Sequence, residues 1–237
     1  MKIITTFAII CCVAVLGLSR LAGEDKKAQE QPKKSARDIL LGKDMEAVGR
    51  LQMDLPQERR ETIKDLIFVL EKLPLEDGFL DGRAEAAVYL LGELRADEPE
   101  AIRVLANKID EFPFVRDGLS IGTPCFRALK RIGKPASLEC LKRLATADGK
   151  KPKDRNIGRR ELLLMVVRDV EGEEVAKFML ERAIAKEQDK KHKENLTAAL
   201  DLLEKWKKDR EEHEKKWREK NKADTPAPSE PSEKPEE

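Results

Sequence analysis

Arg83 to Asp110 reads RAEAAVYLLGELRADEPEAIRVLANKID, and the spacing of its apolar residues decides the fold class. Ala84, Ala87, Val88, Leu91 and Leu94 follow the i, i+3, i+4, i+7 rhythm of one buried helical face. Asp97-Glu98-Pro99 then signals a new helix. Proline suits the first helical position because its missing N–H would have had no partner there, and acids favour the positive end of the helix dipole. Ala101, Ile102, Leu105, Ile109 and Phe112 mark a second stripe. Neither helix hides its stripe alone, so the two are expected to pack antiparallel and still offer apolar surface to neighbours.

The pattern returns downstream. Thr123-Pro124 is an N-cap and first-position pair; Cys125, Leu129 and Ile132 then line a face that ends at Gly133. Pro135 restarts a helix with Leu138, Leu141 and Ala145 facing inward. Gly92 to Gly133 is a step of 41 residues, and Asp110 to Asp148 one of 38. A looser third copy runs from Leu162 to Val170, breaks at Glu171-Gly172, and continues with Val175, Phe178, Met179 and Ala183 on the inner face. Upstream, Ser35 is placed to cap a helical region interrupted at Gly42, and Pro56 opens a helix striped by Ile63, Leu66, Ile67, Leu70 and Leu73. Helical hairpins recurring at this interval imply an all-α fold, a short α-solenoid of three to four hairpins.

The quoted run also resembles a HEAT repeat of the short bacterial kind. Arg83 stands near that family's arginine, Ala86-Ala87 near its small pair, Leu91-Gly92 near its Leu-Gly, and Asp110 near its closing aspartate. The second unit keeps Ala128-Leu129, Ile132-Gly133 and Leu141 without an evident match to the arginine; the third keeps little beyond spacing. The resemblance covers roughly Glu61 to Glu187. It implies three to four HEAT-like hairpins. HEAT families scaffold complexes and some assist enzymes, so it implies no chemistry of its own.

Composition agrees with thin apolar stripes on helices: of 237 residues, 39% are charged and only 4% aromatic. Lys and Arg number 47 against 46 Asp and Glu, and this balance argues against a nucleic-acid partner, which asks for a basic excess. The N-terminus stands apart. Lys2 precedes an uncharged apolar run from Ile3 to Leu18, and the small residues Gly17 and Ser19 suit cleavage after Ser19. The run is shorter than the roughly 20 residues that span a bilayer, so residues 1–19 read as a secretory signal peptide, with an uncleaved anchoring helix as the alternative. Export to a periplasm or the extracellular space follows from the first reading, and contact with a membrane only from the second. Residues 20–35 are expected to be a disordered linker, 36–206 the helical array, 207–222 a charged helix extension and 223–237 a disordered tail rich in Pro and Glu.

Before that tail, Leu196, Ala199, Leu203 and Trp206 form a stripe suited to closing the last repeat. Beyond it, Glu204–Lys208, Glu211–Lys215, Glu212–Lys216 and Glu214–Arg218 are spaced for i,i+4 ion pairs that support a solvated helix. Trp206 and Trp217 are eleven residues apart, close to three turns, and share a face with Arg210 and His213. Trp217 either docks on the array or meets a partner or a membrane surface.

Reactive constellations are scarce. The two histidines, His192 and His213, lie far apart in the charged helix, and no HExxH or paired CxxC is present, so neither a metal site nor a cofactor is expected. The carboxylates alternate with bases at helical spacing, as solvated faces do. Asn195-Leu196-Thr197 is a glycosylation sequon inside an expected helix. Cys125 and Cys140 lie on successive expected helices. They are either a disulfide, given export, or two buried apolar thiols. The loop from Asp148 to Glu161 gathers Lys150, Lys151, Lys153, Arg155, Arg159 and Arg160 and is either a partner-binding insertion or a solvated connection with Asn156 capping the next helix. A solenoid presents a wide face and no enclosed pocket. The sequence therefore points to a non-catalytic interaction protein with a protein partner it does not name. An accessory subunit or chaperone-like regulator of an enzyme, and a membrane-tethered adaptor, are the alternatives.

Overall fold

A computed structural model describes residues 34–42, 45–53, 59–72, 82–112, 115–117, 120–151 and 157–223. The expected signal peptide, all but the end of the linker, and the Pro/Glu tail beyond Ala223 lie outside them. The described chain is helical: α1 (Ala36–Leu41), α2 (Met45–Met53), α3 (Arg59–Lys72), α4 (Gly82–Glu93), α5 (Pro99–Asn107), α6 (Pro124–Ile132), α7 (Lys134–Leu144), α8 (Arg159–Glu171), α9 (Glu173–Lys186) and α10 (Lys190–Ala223). The sequence reading missed one feature, a short antiparallel hairpin between α5 and α6. Its strands β1 (Val115–Asp117) and β2 (Ser120–Gly122) pair Val115 with Gly122 and Asp117 with Ser120. Among the described residues, no helix is long and apolar enough to cross a membrane.

The helix starts follow their residues. Ser35 caps α1 by accepting from the Asp38 N–H at 3.1 Å. Thr123 caps α6, accepting from the Phe126 N–H at 3.2 Å while its hydroxyl donates to the Ile109 carbonyl at 2.7 Å. Pro99 and Pro124 occupy first-turn positions. Gly133 at φ 86° ends α6 and begins α7 in a single residue, a turn in the left-handed region that a side chain would strain.

Packing corrects the expected pairing. The closest neighbours of α4 are α3 and α6, and those of α5 are α3, α6 and α7; α4 and α5 meet each other less closely than either meets these. The reason lies in backbone approach. A Cβ on Gly92 would stand 3.0 Å from the Ala128 Cα, so α4 lies against α6 at a distance only glycine permits without adjustment. The contacts then alternate along the chain: α3, α5 and α7 touch in succession, as do α4, α6 and α8, while α3–α4, α5–α6 and α7–α8 join the two series and α9 packs on α8 and α10. A helix held on two sides is buried more widely than one stripe. In α4, Ala84, Ala86, Ala87, Val88, Leu90, Leu91 and Gly92 are all buried.

Two inner faces differ in part from those expected: Leu141 of α7 and Ala183 of α9 pack against the core and Ala145 is buried, but other members of each stripe are not. On α7 the buried residues are Ala136, Ser137, Cys140 and Leu144, while Leu138 is 46% exposed. On α9, Ala176 and Leu180 are buried, whereas Val175 and Phe178 face solvent at 48% and 60% exposure. Small residues take the contact faces there because they allow closer helix approach. The last two helices combine apolar and ionic contacts. Ala176 and Leu180 of α9, and Leu196, Ala199 and Leu203 of α10, belong to the core, and an ionic seam ties the same two helices: Lys177–Glu204 at 2.7 Å, Lys207–Glu174 at 2.7 Å and Arg210–Glu173 at 2.5 Å. Glu204 thus turns to Lys177 of α9. Glu212–Lys216 at 3.0 Å and Glu214–Arg218 at 3.7 Å form as spaced. α10 runs unbroken through the expected boundary at 206/207.

Candidate functional site

Among the described residues of the basic loop, the two arginines are turned inward. Arg159 and Arg160 are the first two residues of α8, and both reach inward to helix ends. Arg159 donates to the Ala106 carbonyl at 3.2 Å and to that of Asn107, and lies 3.7 Å from Asp110. Arg160 donates to the Ala147 carbonyl at 3.0 Å and to Asn195 Oδ1 at 2.9 Å. Lys151 pairs with Glu161 at 3.0 Å, and the Glu161 carboxylate also accepts from the Gly158 N–H at 3.2 Å, so Gly158 is the residue before α8 whose N–H is satisfied. Lys150 is the outward cation, its side chain 87% exposed and 3.5 Å from Asp148. Lys153, Arg155 and Asn156 lie outside the described residues.

Beside Lys151 the surfaces of α8 and α10 part to leave an open groove of about 390 Å³. Ile157, Met165, Leu202 and Trp206 supply its apolar lining, and Lys151 and Lys205 two of its cations. Trp206 is half-buried against the core, as a cap to the last helices requires. The Arg168 guanidinium stands 5.2 Å from its ring centre, held by Asp169 through Nε at 3.0 Å and Nη2 at 2.7 Å. The groove therefore combines one aromatic wall with two lysines among its lining. Sequence reasoning did not foresee it, because Met165 and Leu202 are 37 residues apart and only the packing of α10 on α8 joins them. Trp217, three turns beyond Trp206, lies away from this groove and is 62% exposed; it does not dock on the described helices.

Cys125 and Cys140 are free thiols, both fully buried. Burial pushes Cys125 well above the usual thiol range, with Glu111 adding to the effect, and pushes Cys140 up to about 12. Thiols so strongly protonated are poor nucleophiles. Other shifted groups lie on the surface: Asp97 is lowered by its hydrogen bond from Arg59, Glu174 by that from Lys207, and Asp189 by that from the His192 backbone N–H. Among the described residues, no group of three or more His, Cys, Asp or Glu is placed to hold a metal ion. The sequon asparagine is engaged, donating from Nδ2 to the Ala145 carbonyl at 2.8 Å.

The chain matches no family model, no curated protein and no solved structure.

Proposed function

We propose that the chain is a non-catalytic protein-interaction module, a short HEAT-like α-solenoid of three to four hairpins acting in the cell envelope or outside the cell. The observation that carries this reading is the alternating succession of helix contacts, α3–α5–α7 beside α4–α6–α8, which extends a surface rather than closing a pocket. The groove between α8 and α10, with Lys151 and Lys205 at its edge and Trp206 in its wall, is the partner-binding surface; Lys150, Lys153 and Arg155 flank it in the chain. Export rests on the character of residues 1–19. Photocrosslinking from position 151 or 205 in the native compartment, followed by mass spectrometry, tests the interaction. One protein captured from both positions and not from Lys72, an exposed residue of α3, is the expected result. Equal capture from all three, or none, would refute it. N-terminal sequencing of the same preparation is expected to begin near Arg20, and an intact Met1 in the membrane fraction would replace export with anchoring.

A further inference from the structure

We infer that the projecting end of α10 pairs antiparallel with the same segment of a second copy of the chain, each Trp217 entering the other copy's groove beside Trp206. A second copy is then the occupant of the groove between α8 and α10, which rests on reading that groove as a partner surface. The seam of α10 outruns the array. Leu196, Ala199, Leu203 and Trp206 recur at alternating steps of three and four residues, and the same steps continue to Arg210, His213 and Trp217. The array covers the first part: Leu196, Ala199 and Leu203 are buried, Trp206 is half-buried, and Arg210 reaches Glu173 of α9. Past that ion pair every residue from Glu211 to Asn221 is exposed, and Trp217 stands 62% in water. A seam of this spacing is what one helix presents to another, and among the described residues no helix lies on its outer end.

Charge selects the partner. From Asp209 to Glu214 four acids stand against Arg210 alone, and from Lys215 to Asn221 four cations stand against Glu219 alone, so the two halves carry −3 and +3. The helix dipole favours cations near the C-terminus. It does not account for the acids, which begin 19 residues beyond Lys190, far from the N-terminal turn. A parallel copy would set acid on acid and base on base. An antiparallel copy sets each half on its opposite, and one patch serves both chains, as a two-fold axis requires.

Seam and charges choose the same register. With the two helices crossing between Glu211 and Glu212, Trp217 meets the partner's Trp206 and Arg210 meets the partner's His213. At the edges of the seam Asp209 faces the partner's Lys216 and Lys207 the partner's Glu214, and each contact occurs twice. Glu211 and Glu212 lie on the far side of the helix from the seam, at about 3.6 residues per turn, and point away from the crossing. In the single chain Lys216, Glu214 and Lys207 pair with Glu212, Arg218 and Glu174 at exposed positions, contacts weak enough to be exchanged or shared. The groove of about 390 Å³ admits an indole, with Trp206 as one wall and Met165 and Leu202 in its lining. Trp217 stands eleven residues beyond Trp206 on one helix, about 16 Å at roughly 1.5 Å per residue, so it cannot enter the groove of its own chain.

The test uses the purified full chain. Sedimentation equilibrium from about 1 μM to about 100 μM should show a shift from one chain toward two. Trp217→Ser, at an exposed position that leaves circular dichroism and the melt unchanged, should weaken the association roughly tenfold or more. Two charge reversals read the orientation. Asp209→Lys and Lys216→Glu should each weaken association roughly tenfold alone, and mixing the two variants should restore it, because each reversal then faces its complement. In a parallel pair position 209 would face Glu214 instead, and Asp209→Lys alone would tighten the pair. Photocrosslinking from position 205 in the purified dimer should join the two chains. A single chain throughout the range overturns the inference; if crosslinking from position 205 in the native compartment then captures a different protein, the groove remains a partner surface without it. Association untouched by Trp217→Ser, or charge variants that tighten it or fail to rescue each other, also overturn the inference. A single chain that binds anionic vesicles through Trp217 overturns it in favour of a membrane surface.

Discussion

Replacing Gly92 with alanine sets helix propensity against close packing, and the structure says which wins. In a helix interior alanine is favoured over glycine by about 1 kcal/mol. Against that, the new Cβ would meet the Ala128 Cα at 3.0 Å, its Cβ at 3.2 Å and Arg131 Cδ at 3.6 Å. The arginine carbon moves at little cost, but the Cα belongs to the backbone of α6, which α5, α7 and α8 also hold. Relief requires a shift of a whole helix, and overpacking of this kind costs about 1–3 kcal/mol. Gly92→Ala should therefore lose about 1 kcal/mol net, or about 2–4 °C in melting temperature for a chain of this size. Ala128→Gly in the same chain removes the facing methyl group but leaves the clash with the α6 backbone, so the double mutant should show a favourable coupling of about 0.5 kcal/mol or more. Urea unfolding followed by far-UV circular dichroism gives all four stabilities. A higher midpoint for Gly92→Ala at unchanged slope would refute the close approach of α4 to α6.

Three further outcomes are expected. Leu105, fully buried in α5, loses about 2–3 kcal/mol of burial as aspartate and adds the cost of an unpaired carboxylate, so Leu105→Asp should abolish the cooperative melt while Lys150→Glu stays within about 0.5 kcal/mol of the parent. Phe178→Ser should cost less than about 1 kcal/mol and Leu180→Ser more than about 2 kcal/mol, by chemical denaturation, because only Leu180 lies in the core. Cys125 and Cys140 should resist alkylation until the protein unfolds, as peptide-level mass spectrometry would read. Their raised values stabilise the fold fully below the unfolded thiol value of about 8.5, and that stability is lost as pH climbs from there toward the folded values.

Helix positions and many of the helix starts were legible because caps and prolines act locally: Ser35, Thr123 and Pro99 need no tertiary context. The inner faces of α7 and α9 were legible only in part: Leu141, Ala145 and Ala183 lie in or against the core, but Leu138, Val175 and Phe178 are exposed. Leu138-Leu141-Ala145 and Ser137-Cys140-Leu144 differ by a one-residue rotation of about 100°, and both satisfy helical spacing. Reading by hydropathy favours the larger side chains, whereas close helix packing favours Ala136, Ser137 and Ala176. The hairpin had a local signal, Asp117-Gly118 between Val115 and Ile121, but each strand is only three residues long. In the basic loop, counting charges did not reveal that Arg159 and Arg160 begin a helix and point at others. The groove was illegible for a plainer reason: it is made by two helices far apart in sequence.

Those two arginines belong to a set of side chains that finish the ends of other helices. The last carbonyls of a helix have no partner within it and must find one. α6 and α8 end at Gly133 and Gly172, both at positive φ, where the glycine N–H turns back to bond Leu129 and Arg168. Other helices are finished from outside. Arg83 of α4 donates to the Leu41 and Gly42 carbonyls of α1, each at 3.2 Å, and Arg59 of α3 to Leu94 and Arg95 at the end of α4, at 3.2 and 3.0 Å. Arg159 does the same for α5, and Arg160 with Asn195 for α7. The arginines sit early in their helices, but each finishes a helix at a different distance along the chain. The constraint is therefore on a carbonyl end needing a donor, not on a sequence position. α6 and α8, which end in glycine, turn a backbone N–H back on themselves, while α1, α4, α5 and α7 receive theirs from side chains of other helices, so each of these helix ends is satisfied from a different place in the sequence.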